Sequence, residues 1–298
     1  MITLVLTTSN RLSYLKKTMN DLTKFKDIID KIIIFSFKDL NSENYIKRLY
    51  HHKFKKIITI KSRNNFELEH RIQYVSEYKP KLIEGSKYVW FMSDKDRILV
   101  KNSNSIKMIL RKNINGLTMN MHSLNKTLVK EKNKYKFDLF SLQKGIHRIG
   151  LISSQILSKR LFLKYSKKTK LSAYYLSEII LKIIINEKKW FFCSEKVIGY
   201  THINWDKNRD KLNLKYLTYR VDQEFKFYVN NLNNTLSLSK YPNKKNIIKK
   251  AFFKNVISWL ILFKKKENNS IFSNQIQNYI KTIKGHELIK IIFFTLIY

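Results

Sequence analysis

Cysteine, proline and glycine are all scarce in this chain. Among 298 residues there are one cysteine, two prolines and six glycines. The single thiol, Cys193, excludes an intramolecular disulfide, which agrees with a reducing compartment. It sits in the apolar run Trp190-Phe191-Phe192-Cys193 and reads as a buried, inert thiol. With only Pro80 and Pro242, and so few glycines, no obvious linker and no repeat is visible. Long hydrophobic runs are missing too. None approaches the ~18 apolar residues needed to span a bilayer. The N-terminus starts directly on an apolar strand, without a basic segment leading into a signal-type stretch.

Acids are the last shortage. There are 22 Asp and Glu against 59 Lys and Arg, a net charge of +37. Such an excess suits a surface for nucleic acid or anionic lipid. It also follows from the Lys, Ile and Asn enrichment of an AT-rich coding sequence. The basic residues are spread along the whole chain, so composition drift accounts for much of the charge. No zinc pattern, RNP-like aromatic motif or helix-turn-helix is present, and no nucleic-acid partner is expected. At 44% hydrophobic, the chain can bury one large core or two smaller ones.

What is present is an alternation of strands and helices. Met1-Ile2-Thr3-Leu4-Val5-Leu6 is a buried-type strand that runs into the polar turn Thr7-Thr8-Ser9-Asn10-Arg11. Leu12, Leu15, Met19 and Leu22 then recur at helical spacing. Further strands are expected at Ile32-Ile33-Ile34-Phe35 and Ile57-Ile58-Thr59-Ile60, with helices over 42–49 and 67–78. A fourth strand, Tyr88-Val89-Trp90-Phe91-Met92, ends in Ser93-Asp94-Lys95-Asp96. This alternation argues for a parallel sheet covered on both faces. Ligands of such sheets bind beyond the carboxyl ends of the strands. Residues 7–11 and 94–96 both fall there, so they can share one crevice. Two acids one residue apart, Asp94 and Asp96, suit Mg²⁺ or Mn²⁺ holding a diphosphate.

These segments resemble family 2 glycosyltransferases of the GT-A fold. The first strand into Thr-Thr-Ser-Asn-Arg is similar to their opening, and residues 88–98 resemble their metal-binding motif. The Tyr-Val-Trp run is similar to that of bacterial abequosyltransferase-like surface-polysaccharide enzymes, with Lys95 where they carry a middle acid. The resemblance covers about residues 1–205. It implies an α/β GT-A domain, a nucleotide-sugar half over 1–100 and an acceptor half over 101–205.

The resemblance also implies site residues. Thr7, Thr8, Asn10 and Arg11 would line the nucleoside and phosphate crevice. The family's acid after the second strand is either displaced to Asp39 or lost. Its Asn-Gly after the third strand is Asn64-Asn65 here, and Asn tolerates positive φ. Arg71 falls where the family often has an arginine near the phosphates. Asp94 and Asp96 would bridge Mn²⁺ or Mg²⁺ to the diphosphate, with His202 as a further ligand. Glu178, near the start of a helix expected over 173–185, is the candidate base for the acceptor hydroxyl, with Asp138 as a rival. Segment 144–154 resembles the family's return across the active-site mouth, where His147 is either a substrate contact or a surface histidine. Two short strands, 190–194 and 196–200, close the domain.

From Trp205 onward the chain becomes rich in Lys and Asn, and residues 206–298 are expected to form a basic helical region. Lysines flank an aromatic-rich apolar stretch at 247–263, with Phe252, Phe253, Trp259 and Phe263. That pattern suits a helix in an anionic interface; it also suits a helix docked on the catalytic domain with a solvated lysine face, the plainer reading. The expected activity is transfer of a sugar from a nucleotide-sugar donor to a glycan or lipid-linked glycan acceptor. The expected location is cytoplasmic, at the inner face of the cell membrane. The rival from another class is a non-catalytic basic protein binding nucleic acid or membrane on a degenerate transferase scaffold.

Overall fold

The structure, a computed structural model, describes residues 1–8, 11–37, 40–62, 68–100, 103–123, 136–200 and 214–256. β1 (Ile2–Thr7) has no exposed face, because all six residues are buried. A strand with both sides covered is mostly apolar, as a central strand of a parallel sheet is, and the buried Thr3 hydroxyl donates to Ser86 Oγ at 2.7 Å. β2 (Ile29–Phe37) pairs with it in parallel, and β3 (Ile57–Ser62) extends the sheet beyond β2. β4 (Tyr88–Ser93) pairs in parallel with the other side of β1.

Helices make the crossovers. α1 (Leu12–Leu22) buries Leu15, Met19 and Leu22, which lie on one face because helical positions three and four apart are neighbours. α2 (Leu40–Tyr50) leads to β3, and α3 (Leu68–Gln73) widens into a π turn at Tyr74–Tyr78. The helix expected over 67–78 is this composite.

The rest of the sheet changes direction. β5 (Arg97–Ile98) is followed by α4 (Asn104–Arg111), β6 (Gly116–Ser123) and β7 (Phe137–Leu139). After α5 (Leu142–Gly145) come β8 (Gln155–Ser158), α6 (Lys159–Ser166), α7 (Tyr175–Asn186) and β9 (Trp190–Tyr200). The strand order is β3-β2-β1-β4-β8-β6-β9-β5, with β7 also on β9. β8 runs antiparallel to β4 and β6, whereas β6 and β9 are parallel. The two short strands expected at 190–194 and 196–200 are one strand, whose register slips around Asn120 of β6. Cys193 is buried in it, and burial pushes its thiol up to about 12.

The order β3-β2-β1-β4 creates a switch point. From β1 the chain moves outward to β2 and β3, then returns to the opposite side of β1 as β4. Connections leaving β1 and β4 therefore diverge and leave a crevice between them at the carboxyl edge.

The chain divides into two units, Met1–Ser141 with Arg148–His202, and Leu142–His147 with Ile203–Tyr298. The second is helical among its described residues, with α8 (Leu214–Phe225), α9 (Leu232–Thr235) and α10 (Lys244–Ala251). Ile247, Ile248, Ala251 and Phe252 are buried, and Phe252 meets Phe225 edge-on at 6.4 Å between ring centres. Phe252 is thus spent on packing and is not presented to a lipid surface. Residues 257–298, with Trp259 and Phe263, lie outside the described residues. No described helix is long and apolar enough to cross a membrane.

Candidate active site

The acid loop after β4 is built into the switch point by side chains of the β1 turn and α1. Asp94 is 0% exposed. Arg11 grips it in a two-point ion pair, Nη2 to Oδ1 at 2.6 Å and Nε to Oδ2 at 3.1 Å. Thr8 Oγ1 donates to Asp94 Oδ2 at 2.7 Å. Thr18 Oγ1, two turns into α1, lies 2.7 Å from the carbonyl of Asp94 and 3.0 Å from that of Asp96, and donates across both. Asp21, one turn further, accepts Arg97 Nε at 2.5 Å and Arg97 Nη2 at 3.1 Å. α1 therefore clamps both ends of the loop.

In this structure both oxygens of Asp94 accept from protein donors, and Asp94 holds Arg11. Thr7 is buried, and its hydroxyl lies 3.5 Å from the Met92 carbonyl.

Asp96 is placed otherwise. It is partly exposed, and its Oδ2 accepts a short hydrogen bond from Ser153 Oγ. Surrounding protein pushes its carboxyl up to about 6; Ser153 opposes the shift and the charge of Asp94 adds to it. Arg71 joins the same cluster. It is 5% exposed, and its Nε has no hydrogen-bond partner among the described residues. Burial lowers its guanidinium, and both Asp94 and Arg11 act on it electrostatically. A buried cation with an open donor at the mouth of a parallel sheet is a ready site for an anion.

Ser153 is the residue that sequence reading missed. It lies in the turn Ile152–Ser154, with 3% exposure. Its Oγ accepts the amide of Ser93 at 3.1 Å while donating to Asp96. The indole of Trp90 fixes the turn by donating to the Ser153 carbonyl at 2.8 Å. Deeper in the same half, Trp190 donates to Thr118 at 2.9 Å, and Thr118 to Gln155 Oε1 at 2.8 Å. Gln155 in turn donates to Ser154 Oγ and the Arg148 carbonyl, both at 2.8 Å.

α7 ends at Asn186, just before β9 starts opposite Gly116 at the amino end of the sheet. Glu178 lies in its first turn. Glu178 Oε1 accepts from Ser172 Oγ at 2.8 Å. Asp138 lies on β7, four strands from β4 across the sheet, and is exposed. His147 belongs to the second unit. Asn10, Asp39, Asn64 and His202 lie outside the described residues.

Among the described residues no group of three His, Cys, Asp or Glu could hold a metal by itself. A divalent ion here would take one protein carboxylate, Asp96, and complete its shell from phosphates and water. That donor set fits Mg²⁺ or Mn²⁺, which commonly bind through one or two carboxylates plus substrate phosphates.

No family model and no curated protein sequence matches the chain. Solved structures do. Residues 1–349 of TarS from S. aureus, solved with UDP, align with TM-score 0.62 and 14% identity over 95% of this chain and 79% of that one. The same protein with UDP-GlcNAc gives 0.52 and 14% identity, over 88% and 90% of the two chains. The mannosyltransferase PcManGT from Pyrobaculum calidifontis, solved with GDP-Man and Mn²⁺, gives 0.55 at 7% identity, over 95% and 85%. At such identities the likeness is one of fold. The chain has the α/β fold of these glycosyltransferases, a curled, mostly parallel sheet flanked by helices.

Proposed function

We propose that this protein is a glycosyltransferase that moves a sugar from a nucleoside-diphosphate sugar to an acceptor hydroxyl. One observation carries the reading. Arg11, Arg71 and Asp96 converge at the switch point between β1 and β4, where such sheets hold ligands. The neighbours in fold support it, since they were solved with UDP, UDP-GlcNAc and GDP-Man.

The geometry supports a role for each residue. Arg71 faces the diphosphate with its open donor, and Arg11, held rigid by Asp94, adds a second cation. Asp96 would hold Mn²⁺ or Mg²⁺, as PcManGT was solved with Mn²⁺. When bound, that ion supplies Lewis-acid stabilisation of the departing diphosphate. Thr18 and Arg97 keep the loop fixed, so little reorganisation is needed as charge develops. Glu178 is the proposed base. The acceptor oxygen attacks the anomeric carbon, its proton passes to Glu178, and the bond to the β-phosphate oxygen breaks with its electron pair on the nucleoside diphosphate. A general base must lie within hydrogen-bond reach of that hydroxyl.

The proposed acceptor is a glycan or lipid-linked glycan of bacterial surface polysaccharide, reached at the cytoplasmic side of an anionic membrane. The lysines around α10 support attraction to that surface, with each basic residue near it worth about 1 kcal/mol. The direct test is to incubate the protein with Mn²⁺ and a panel of UDP- and GDP-sugars, with and without membrane glycolipid, and measure release of UDP or GDP. Acceptor-dependent release from one donor is expected. No release and no binding with any donor would contradict the reading.

A further inference from the structure

Ser153 stands 57 residues beyond Asp96 in the chain, yet it touches the acid loop at two points. Its hydroxyl accepts the Ser93 amide at 3.1 Å and donates to Asp96 Oδ2. The direction of that second bond is fixed by chemistry. An amide N–H can only donate, so the hydroxyl's lone pair serves Ser93 and its one proton is left for Asp96. Asp96 is thereby turned by a donor that comes from a different part of the sheet. The carbonyl of the same serine accepts the Trp90 indole at 2.8 Å, which anchors the turn to the body of β4. The adjoining residue, Ser154, is tied to Gln155 and through it to Thr118 and Trp190. The hydroxyl thus rests on two buried indoles and cannot drift.

We propose that Ser153 is a positioning residue, which aims the Asp96 carboxylate at the ion and diphosphate of the donor. The proposal rests on Asp96 being the acid that meets the donor. Partners that orient a metal ligand from outside the coordination shell typically contribute 10–100-fold to metal affinity. Ser153→Ala removes one oxygen and leaves the turn's Trp90 bond intact, because that bond uses the backbone. The fold therefore survives the change.

The test measures Mn²⁺-dependent binding of UDP and of GDP by calorimetry, with binding in EDTA as the reference and melting temperature as the control for folding. Ser153→Ala should weaken the Mn²⁺-dependent affinity about tenfold. It should leave the EDTA affinity, set by Arg11 and Arg71, unchanged. Ser153→Thr keeps the hydroxyl and should recover most of the loss. Unaltered Mn²⁺-dependent binding in Ser153→Ala, with that binding abolished in Asp96→Asn, would overturn the role of Ser153 while sparing that of Asp96. An equal loss with and without Mn²⁺ would overturn it as well, since the serine would then be merely structural. Unaltered binding in Asp96→Asn would sink the reading of the site, and this proposal with it.

Discussion

The two halves of the sheet are held together in different ways. The half formed by β3, β2, β1 and β4 is parallel and rests on continuous apolar strands, with Leu4, Val5, Leu6, Ile32, Ile33, Ile34, Val89, Trp90 and Phe91 all fully buried. The half formed by β8, β6 and β9 mixes directions and contains a chain of buried side-chain hydrogen bonds from Trp190 through Thr118 and Gln155 to Ser154. Apolar packing is non-directional and tolerates the long crossovers of the first half. Directional bonds fix a single arrangement and are costly when one member is lost. The first half therefore presents a crevice, and the second sets how the loop beside it is aimed.

If that division is right, variants in the two halves should fail differently. The largest effect is expected at the loop itself. Asp96→Asn should lower turnover about 10³-fold, as loss of a preorganised charge contact does, and remove the benefit of Mn²⁺. The fold should survive, because the amide can still accept from Ser153. Steady-state rates with and without Mn²⁺, beside a melting curve, check this.

Asp94→Ala should instead act on stability. It strands Arg11 without its partner beside a buried site, a loss of about 3 kcal/mol. Urea unfolding at fixed pH measures it, and a change below about 1 kcal/mol would mean that the ion pair is solvated.

Glu178→Gln should reduce turnover about 100-fold, the scale of a general base, and leave nucleotide affinity alone. Turnover within a few-fold of the parent would show that Glu178 serves only its hydrogen bond with Ser172.

The smallest effect probes the second half. A Cβ on Gly116 would stand 2.3 Å from the ring of Trp190. Gly116→Ala must displace that indole and with it the bond to Thr118, for about 2 kcal/mol of stability. Nucleotide binding in EDTA should not change.

The same contrast explains what could be read from the sequence. The parallel half was legible because a strand buried on both faces writes itself as a run of Ile, Leu, Val and Phe. Its crevice was legible because Thr8, Arg11 and Asp94 to Asp96 all follow such runs directly. The different tasks of Asp94 and Asp96 were not, since spacing does not show that Arg11 closes on one of them. The second half was harder. Gln155-Ile156-Leu157-Ser158 is a short strand with little periodicity, and the polar partners that hold it are 37 residues apart for Thr118 and Gln155. Segment 144–154 was legible as a return across the site, but Ser153 itself carried no signal, because its role exists only when the turn meets the loop. The sequence pattern at 247–263 fits lipid or protein, and among its described residues burial of Phe252 decides for protein at that residue.

The central claim is that a donor diphosphate binds between Arg11, Arg71 and Asp96 with a divalent ion. Calorimetric titration of UDP and GDP in Mn²⁺ and in EDTA, on the parent and on Arg71→Met, tests it most directly. One nucleotide should bind the parent more tightly with Mn²⁺, and Arg71→Met should weaken it at least tenfold under both conditions. Binding that is indifferent to both Mn²⁺ and Arg71 would contradict the account.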